Sequence, residues 1–341
     1  MNYKILLIFA MAALTTTTTL SLTIYNSNAF AINEKSINLP NATSFTLSTD
    51  NNSSTINNND QNYNGVSNLK NTQQQSNILI TKLLAKNLEN HLQKAGAILE
   101  ITSKLPQVRQ IPFADMLNQT LKTLHGIPQN ADIEKRQVAN NIISAYDDLF
   151  EVFFIMPNGD IYLVEPYSIQ KILTANNFAF RDYFQGAIKT NNVYIGNVIS
   201  SKATTSNRTA VIAIPVYSLK DNSTIVGVWA GALDFGKLNK EIQSFNITTS
   251  DENNNNNNMR AVYVGHLGQK VADSDVNKSK TPESFATLQS FKNAINGQSG
   301  SIVDTVNSTK MLVTYKPVKV FNNTWAVLLM QPLQQQQQQQ Q

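Results

Sequence analysis

The apolar periodicity of this chain changes near Glu151, and that change decides what it can fold into. Before it, Leu84, Leu88, Leu92, Ala95 and Leu99 fall at steps of four, four, three and four, which is one face of a helix. The spacing predicts a helix over residues 76–105, ended by Pro106, a rod of ~45 Å that is longer than a small domain needs. A second helix is predicted over residues 131–149, with Val138, Ile142, Tyr146 and Leu149 on one stripe and Asn130 or Asp132 as its cap.

From Glu151 the period is two. Residues 151–166 (EVFFIMPNGDIYLVEP) read as strand, turn, strand, with Gly159 at the tip. Asn191–Ser200, Ala210–Val216 and Ile225–Phe235 read as further strands, and six Asn (253–258) read as a loop between modules. Then the pattern restarts. Arg260–Gly265 and Gln269–Asp273 flank a turn, a helix over Phe285–Asn296 stops at Gly297, Ser301–Val306 and Lys310–Lys316 form a hairpin around Asn307-Ser308, and Thr324–Met330 is a last strand. Both halves run hairpin, helix, antiparallel strands, an α+β architecture repeated without obvious residue identity.

The two ends of the chain differ from this body. Lys4, the apolar run Ile5–Leu14 and Ala29-Phe30-Ala31 form a signal-peptide pattern over residues 1–31; the alternative is that residues 5–25 stay as an anchor. Residues 32–75 are rich in Asn, Ser, Thr and Gln and are expected to be a disordered linker, and residues 334–341 are a poly-Gln tail. Export would place the protein outside the cell, secreted or at the cell surface. There the ten N-x-[ST] sequons, at Asn41, Asn51, Asn52, Asn118, Asn207, Asn222, Asn246, Asn277, Asn307 and Asn322, are candidate glycan sites. A chain this rich in Asn, Ser and Thr also produces sequons by chance.

Composition excludes several chemistries. There is no Cys, so no disulfide, thiolate metal site or cysteine nucleophile, and His91, His125 and His266 are too scattered for a multi-histidine metal centre. The net charge of +4 comes without any run of Lys or Arg, so no nucleic-acid partner is expected. No G-x-G-x-x-G or Walker loop opens a helix, and no Ser–His–Asp set can be assembled. The protein is expected to be no enzyme and to need no cofactor or metal.

Several runs carry a specific resemblance. Asn177–Ala187 (NFAFRDYFQGA), Tyr194–Asn197 (YIGN), Val211–Val216 with Pro215, and Gly227–Phe235 (GVWAGALDF) resemble the extracellular double Cache sensor domain. Phe291–Gly300 and Met311–Pro317 resemble its second half, so the likeness spans about residues 76–333. It implies two PAS-like (Cache) modules, antiparallel sheets with flanking helices, preceded by a long N-terminal helix. Residues 76–149 would hold the leading helices, 150–250 the membrane-distal module and 259–333 the membrane-proximal one.

In that family the distal module binds a small extracellular molecule, and its occupancy passes through the long helix to a receptor's inner half. No kinase, methyl-accepting or cyclase half is expected on this chain. A membrane signalling partner, or a homodimer through the long helix, would take its place.

The candidate site follows from residue chemistry and the resemblance together. Arg181 lies among Phe180, Tyr183 and Phe184, and a guanidinium fork inside an apolar wall suits a carboxylate ligand. Asp234 follows the apolar run Val226–Leu233 and should pair with a ligand cation, with Arg181 or with a backbone donor. The resemblance puts Arg181, Tyr183, Phe184 and Asp234 at pocket positions. Tyr194 is a further wall residue or a strand core residue. Amino-acid-binding members follow the Arg with Trp and Tyr, and carry a Tyr and an Asp near the positions of Ser200 and Lys202 here. The expected ligand is therefore a small carboxylate, with Lys202 favouring an anion. The competing expectation is a glycosylated cell-envelope structural protein with a degenerate pocket, in which Asp234 fills the Arg181 fork.

Overall fold

The computed structural model describes residues 58–201, 208–245 and 259–333, with side chains from Gln73 onward. The signal segment, Lys202, the run of Asn at 253–258, the poly-Gln tail and the sequons at Asn41, Asn51, Asn52, Asn207 and Asn246 lie outside the described residues.

One long helix, α1 (Asn58–Ser103), leads the fold. Its stripe of Leu84, Leu88, Leu92, Ala95 and Leu99 is buried as the spacing requires. The helix starts at Asn58, inside the stretch expected to be a disordered linker. Once the apolar turns are docked, each further residue adds a hydrogen bond, and no Pro interrupts the run. Pro106 heads the next helix, α2 (Pro106–Arg109), where its missing N–H is not needed. After α3 (Leu117–Leu124), which the sequence pattern does not announce, α4 (Ile133–Ala145) is capped by Asp132, whose carboxylate accepts from Lys135 N. It ends before Leu149, which belongs to the first strand.

The first sheet begins with the hairpin β1 (Leu149–Ile155) and β2 (Ile161–Glu165), turning at Gly159 with φ of +91°. The helices α5 (Tyr167–Gln170) and α6 (Asp182–Thr190) precede β3 (Tyr194–Ile195). The strand expected over Asn191–Ser200 is broken, because its second part, β4 (Ile199–Ser200), leaves the sheet to pair with β5 (Arg208–Thr209) in a separate ribbon. The strands β6 (Val211–Tyr217) and β7 (Ile225–Leu233) complete the sheet, in the antiparallel order β2-β1-β7-β6-β3. The sequence pattern runs β7 on to Phe235, but Asp234 instead starts a helix, α7 (Phe235–Ser244).

The second sheet contains β8 (Arg260–Val264), β9 (Lys270–Asp273), then α8 (Gln289–Ile295), β10 (Gly300–Val306), β11 (Thr309–Val320) and β12 (Asn323–Pro332). Its order, β9-β8-β12-β11-β10, matches the first strand for strand, with the first hairpin at one edge and the last strand in the middle.

Three apolar clusters hold these layers. The inner faces of both sheets pack with α1, joining Val152, Phe154 and Trp229 to Tyr263, Trp325 and Val327. Trp229 Nε1 donates to Thr102 Oγ1 on α1 at 3.0 Å, so the indole is buried with its donor satisfied. On the other face of the first sheet, Phe153, Ile155, Val211 and Ala232 pack with Phe178 and with Tyr183, Phe184 and Ala187 of α6. The equivalent face of the second sheet packs with Phe291 and Ala294 of α8. No helix of the described residues is long and apolar enough to cross a membrane.

Candidate ligand-binding site

A hollow of about 260 Å³ opens on the α6 face of the first sheet. Its apolar wall includes Phe153, Ile169, Leu173, Phe178, Ile199 and Val211. Its polar groups are Arg181, Glu151, Tyr183 and the hydroxyl residues Thr174, Ser200, Ser201 and Thr209.

Arg181 is held by its backbone. Its N–H donates to Phe178 O at 2.9 Å, and it occupies the cap position before α6 with φ of −74° and ψ of 134°. The guanidinium carbon stands 4.8 Å from the Phe180 ring centre and 5.7 Å from that of Phe178. Its Nε is buried without a hydrogen-bond partner, and among the described residues no carboxylate pairs with the fork. A buried donor without an acceptor is unfavourable by roughly 1–3 kcal/mol.

Glu151 is the second charged group, and sequence reasoning did not single it out. A bulge between Leu149 and Glu151 sets Glu151 opposite Ala232 of β7. The bulge also switches faces: Leu149 packs on the α1 side, whereas Glu151 shares the hollow side with Phe153 and Ile155. The residue is 8% exposed, and among the described residues its carboxylate has no hydrogen-bond or ion-pair partner. Burial alone pushes its carboxyl up to about 7. The only sequence signal for it is an acid inside an otherwise apolar strand, LFEVFFI.

Of the residues expected at the site, the fold brings Arg181 and Tyr183 to the hollow. Burial raises the Tyr183 hydroxyl far above the usual phenol value; the Arg181 charge opposes this, and the charges of Glu151 and Asp182 add to it. Phe184, on α6, is buried in the core and is not among the residues lining the hollow. Tyr194 packs its ring on Gly186 of α6, where even a Cβ would meet it at 2.4 Å; it too is outside the lining set. Asp234 does not reach the fork. Its Oδ1 accepts from Gly236 N at 2.8 Å and caps α7, which is the backbone-donor alternative. Lys202 lies outside the described residues.

No group of three or more His, Asp or Glu side chains among the described residues is arranged to hold a metal ion. Asp273 is bound by Arg260 at 2.6 Å and Lys270 at 2.9 Å.

Two sheets of one strand order behind a long leading helix, with a charged hollow in the first, define a tandem PAS-like binding domain. The Cache domain profile, in its double (dCache) form, matches residues 66–339, and the chain belongs to this family. Its members are sensor domains rather than catalytic ones, and they work on the extracellular side of receptors.

Solved structures agree on the fold. The extracellular domain of rpHK1S-Z16 is 12% identical, with a TM-score of 0.56 over 77% of this chain and 95% of that one. The ligand-binding domain of the Pseudomonas aeruginosa PAO1 amino acid chemoreceptor PctC, in complex with GABA, is 16% identical, with a TM-score of 0.50 over 76% and 99%. The sensory domain of the Campylobacter jejuni chemoreceptor Tlp3 with isoleucine bound is 14% identical, with a TM-score of 0.50 over 77% and 94%. A comparison with curated proteins gave no match.

Proposed function

We propose that this protein is an extracellular sensor-type domain whose first module captures a small metabolite carrying both a carboxylate and a protonated nitrogen. The carboxylate takes the Arg181 fork, bidentate and beside the Phe178 ring that walls the hollow. The nitrogen takes Glu151, which has no counter-charge among the described residues. The apolar wall of Ile169, Leu173 and Val211 receives the aliphatic part.

The observation that carries this reading is the buried Arg181 Nε without a partner beside a hollow. It also disfavours the structural-protein alternative, which needs Asp234 in the fork. Glu151 revises the expectation of a plain carboxylate. GABA and isoleucine, present in the PctC and Tlp3 structures, each pair an acid with an amine, in line with two opposite poles.

Outside the membrane, the Ala29-Phe30-Ala31 pattern supports export, and occupancy would be read by a membrane partner. A thermal-shift screen of small carboxylates, amines and amino acids on the mature chain tests the proposal. A ligand at 100 times its Kd adds about 2.7 kcal/mol to stability, a shift easily read. Stabilisation by compounds with both poles supports it; no stabiliser of either kind sinks it.

A further inference from the structure

Residues 194–200 run from the edge of the first sheet to the wall of the hollow, and along this short path they are held by both modules. At the hollow end, Ile199 and Ser200 line the cavity, and Asn197 N donates to Asp182 Oδ2 at 2.6 Å, next to Arg181. At the other end, β3 is an edge strand, so one side of its backbone is unpaired within the sheet. Two consecutive side chains of the second module fill it. Ile195 N donates to Asn322 Oδ1 at 2.8 Å, and Asn323 Nδ2 donates to Ile195 O at 2.8 Å. Between these points Val198 lies against Gly265, and β5, the ribbon partner, sends Arg208 Nη1 to Lys270 O at 2.6 Å.

The β11–β12 tip that supplies the asparagines is itself fixed. Phe321, at φ of +49°, lays its ring on Gly96 of α1, where a Cβ would come within 2.2 Å of it. A bulky residue at positive φ is strained and persists only where its surroundings hold it. The tip is therefore tied to α1 as well as to β3. Hydrogen bonds weaken steeply once stretched or bent, so a shift of β3 either pulls the tip or breaks both bonds.

We propose that Tyr194–Ser200 is the mechanical link that reports the state of the hollow to the second module and to α1, with Asn322 and Asn323 as its coupling contact. A guest drawing Arg181 and the Ile199–Ser200 wall together moves the Asp182–Asn197 joint, then Ile195, then the tip, then the helix at Gly96. The trigger rests on the binding reading above; the link does not.

Hydrogen exchange by mass spectrometry on the full mature chain tests the link without any ligand. Ile199→Ala loosens the hollow wall. It should speed exchange over residues 317–327 by about threefold or more, although these residues lie in the other module. In an Asn322→Ala/Asn323→Ala background the ribbon should still respond and the tip should not. Asn322→Asp, which keeps the acceptor, should retain the coupling. Ser200→Trp perturbs the same wall by adding bulk, and serves if Ile199→Ala leaves the ribbon unmoved. A tip that ignores both wall variants, or responds equally without the asparagines, overturns the proposal. Either result leaves the Arg181–Glu151 reading standing, and a failed ligand screen leaves the link standing.

Discussion

Glu151 and Arg260 occupy the same position in two sheets of one strand order and carry opposite charge. Each lies eight residues before the positive-φ glycine of its hairpin, Gly159 or Gly268, and each faces the central last strand, at Ala232 or Met330. Arg260 is satisfied internally: Asp273 accepts from it at 3.1 and 2.6 Å, and Glu283 accepts from it as well. Glu151 has no such partner among the described residues. The counterpart of Arg181 is Leu288, since both donate backbone N–H to the carbonyl of the Phe three residues earlier, Phe178 or Phe285. The second module thus supplies counter-charges that the first, among the described residues, lacks.

Removing the internal partner should therefore be severe. Arg260→Met leaves Asp273, fully buried, with Lys270 as its remaining cation and weakens Glu283 as well. A loss of about 3–5 kcal/mol is expected in urea unfolding, because an uncompensated buried charge remains. Ligand binding in the first module should survive at temperatures where the variant is folded. A loss under about 1 kcal/mol, the range of an exposed ion pair, would mean the network is solvated.

Glu151 should make stability depend on pH in a stated direction. In the folded chain it keeps its proton up to about 7, whereas a Glu in the unfolded chain titrates near 4.5. Folding then takes up a proton between these values. The contribution is fully present below the lower value and lost as pH rises through the upper one. Glu151→Gln lacks this loss, so its stability relative to the wild type should grow from pH 5 to pH 8, by an amount on the order of 3 kcal/mol. Thermal melts across that range check it; an advantage that shrinks with pH contradicts the assignment.

Asp234 should behave as a helix cap. Asp234→Ala removes the acceptor for Gly236 N and should lower stability by ~1 kcal/mol, while leaving any ligand-induced thermal shift intact. If the shift disappears at equal foldedness, Asp234 belongs to the site after all.

Much of the fold was legible because its signals are local. The Leu84–Leu99 stripe reads as a helix from spacing alone, and Gly159, Gly268 and Asn307-Ser308 mark turns that require positive φ. The place of Arg181 at the hollow was legible from the family resemblance together with a charge set among aromatic residues. Glu151 was not, since the bulge after Leu149 switches faces, and strict alternation would place both residues on one side. The end of β7 was misread because α7 starts Phe235-Gly236 directly after an apolar strand, and its stripe of Phe235, Leu238 and Ile242 is only two turns long; the backbone donor that Asp234 caps was one of three partners left open for it. The strand expected over Asn191–Ser200 broke because Ile199 and Ser200 found a partner in Arg208–Thr209, a tertiary choice no local pattern announces.

The proposed function depends most on the Arg181 fork accepting a carboxylate from outside the chain. Isothermal titration of the mature wild type and of Arg181→Ala with GABA, isoleucine and their deaminated acids tests it most directly. The account predicts binding of at least one compound carrying both poles, weaker binding of its deaminated acid, and no detectable heat with Arg181→Ala. Binding to Arg181→Ala as tight as to the wild type, or tighter binding of the deaminated acid, would contradict it.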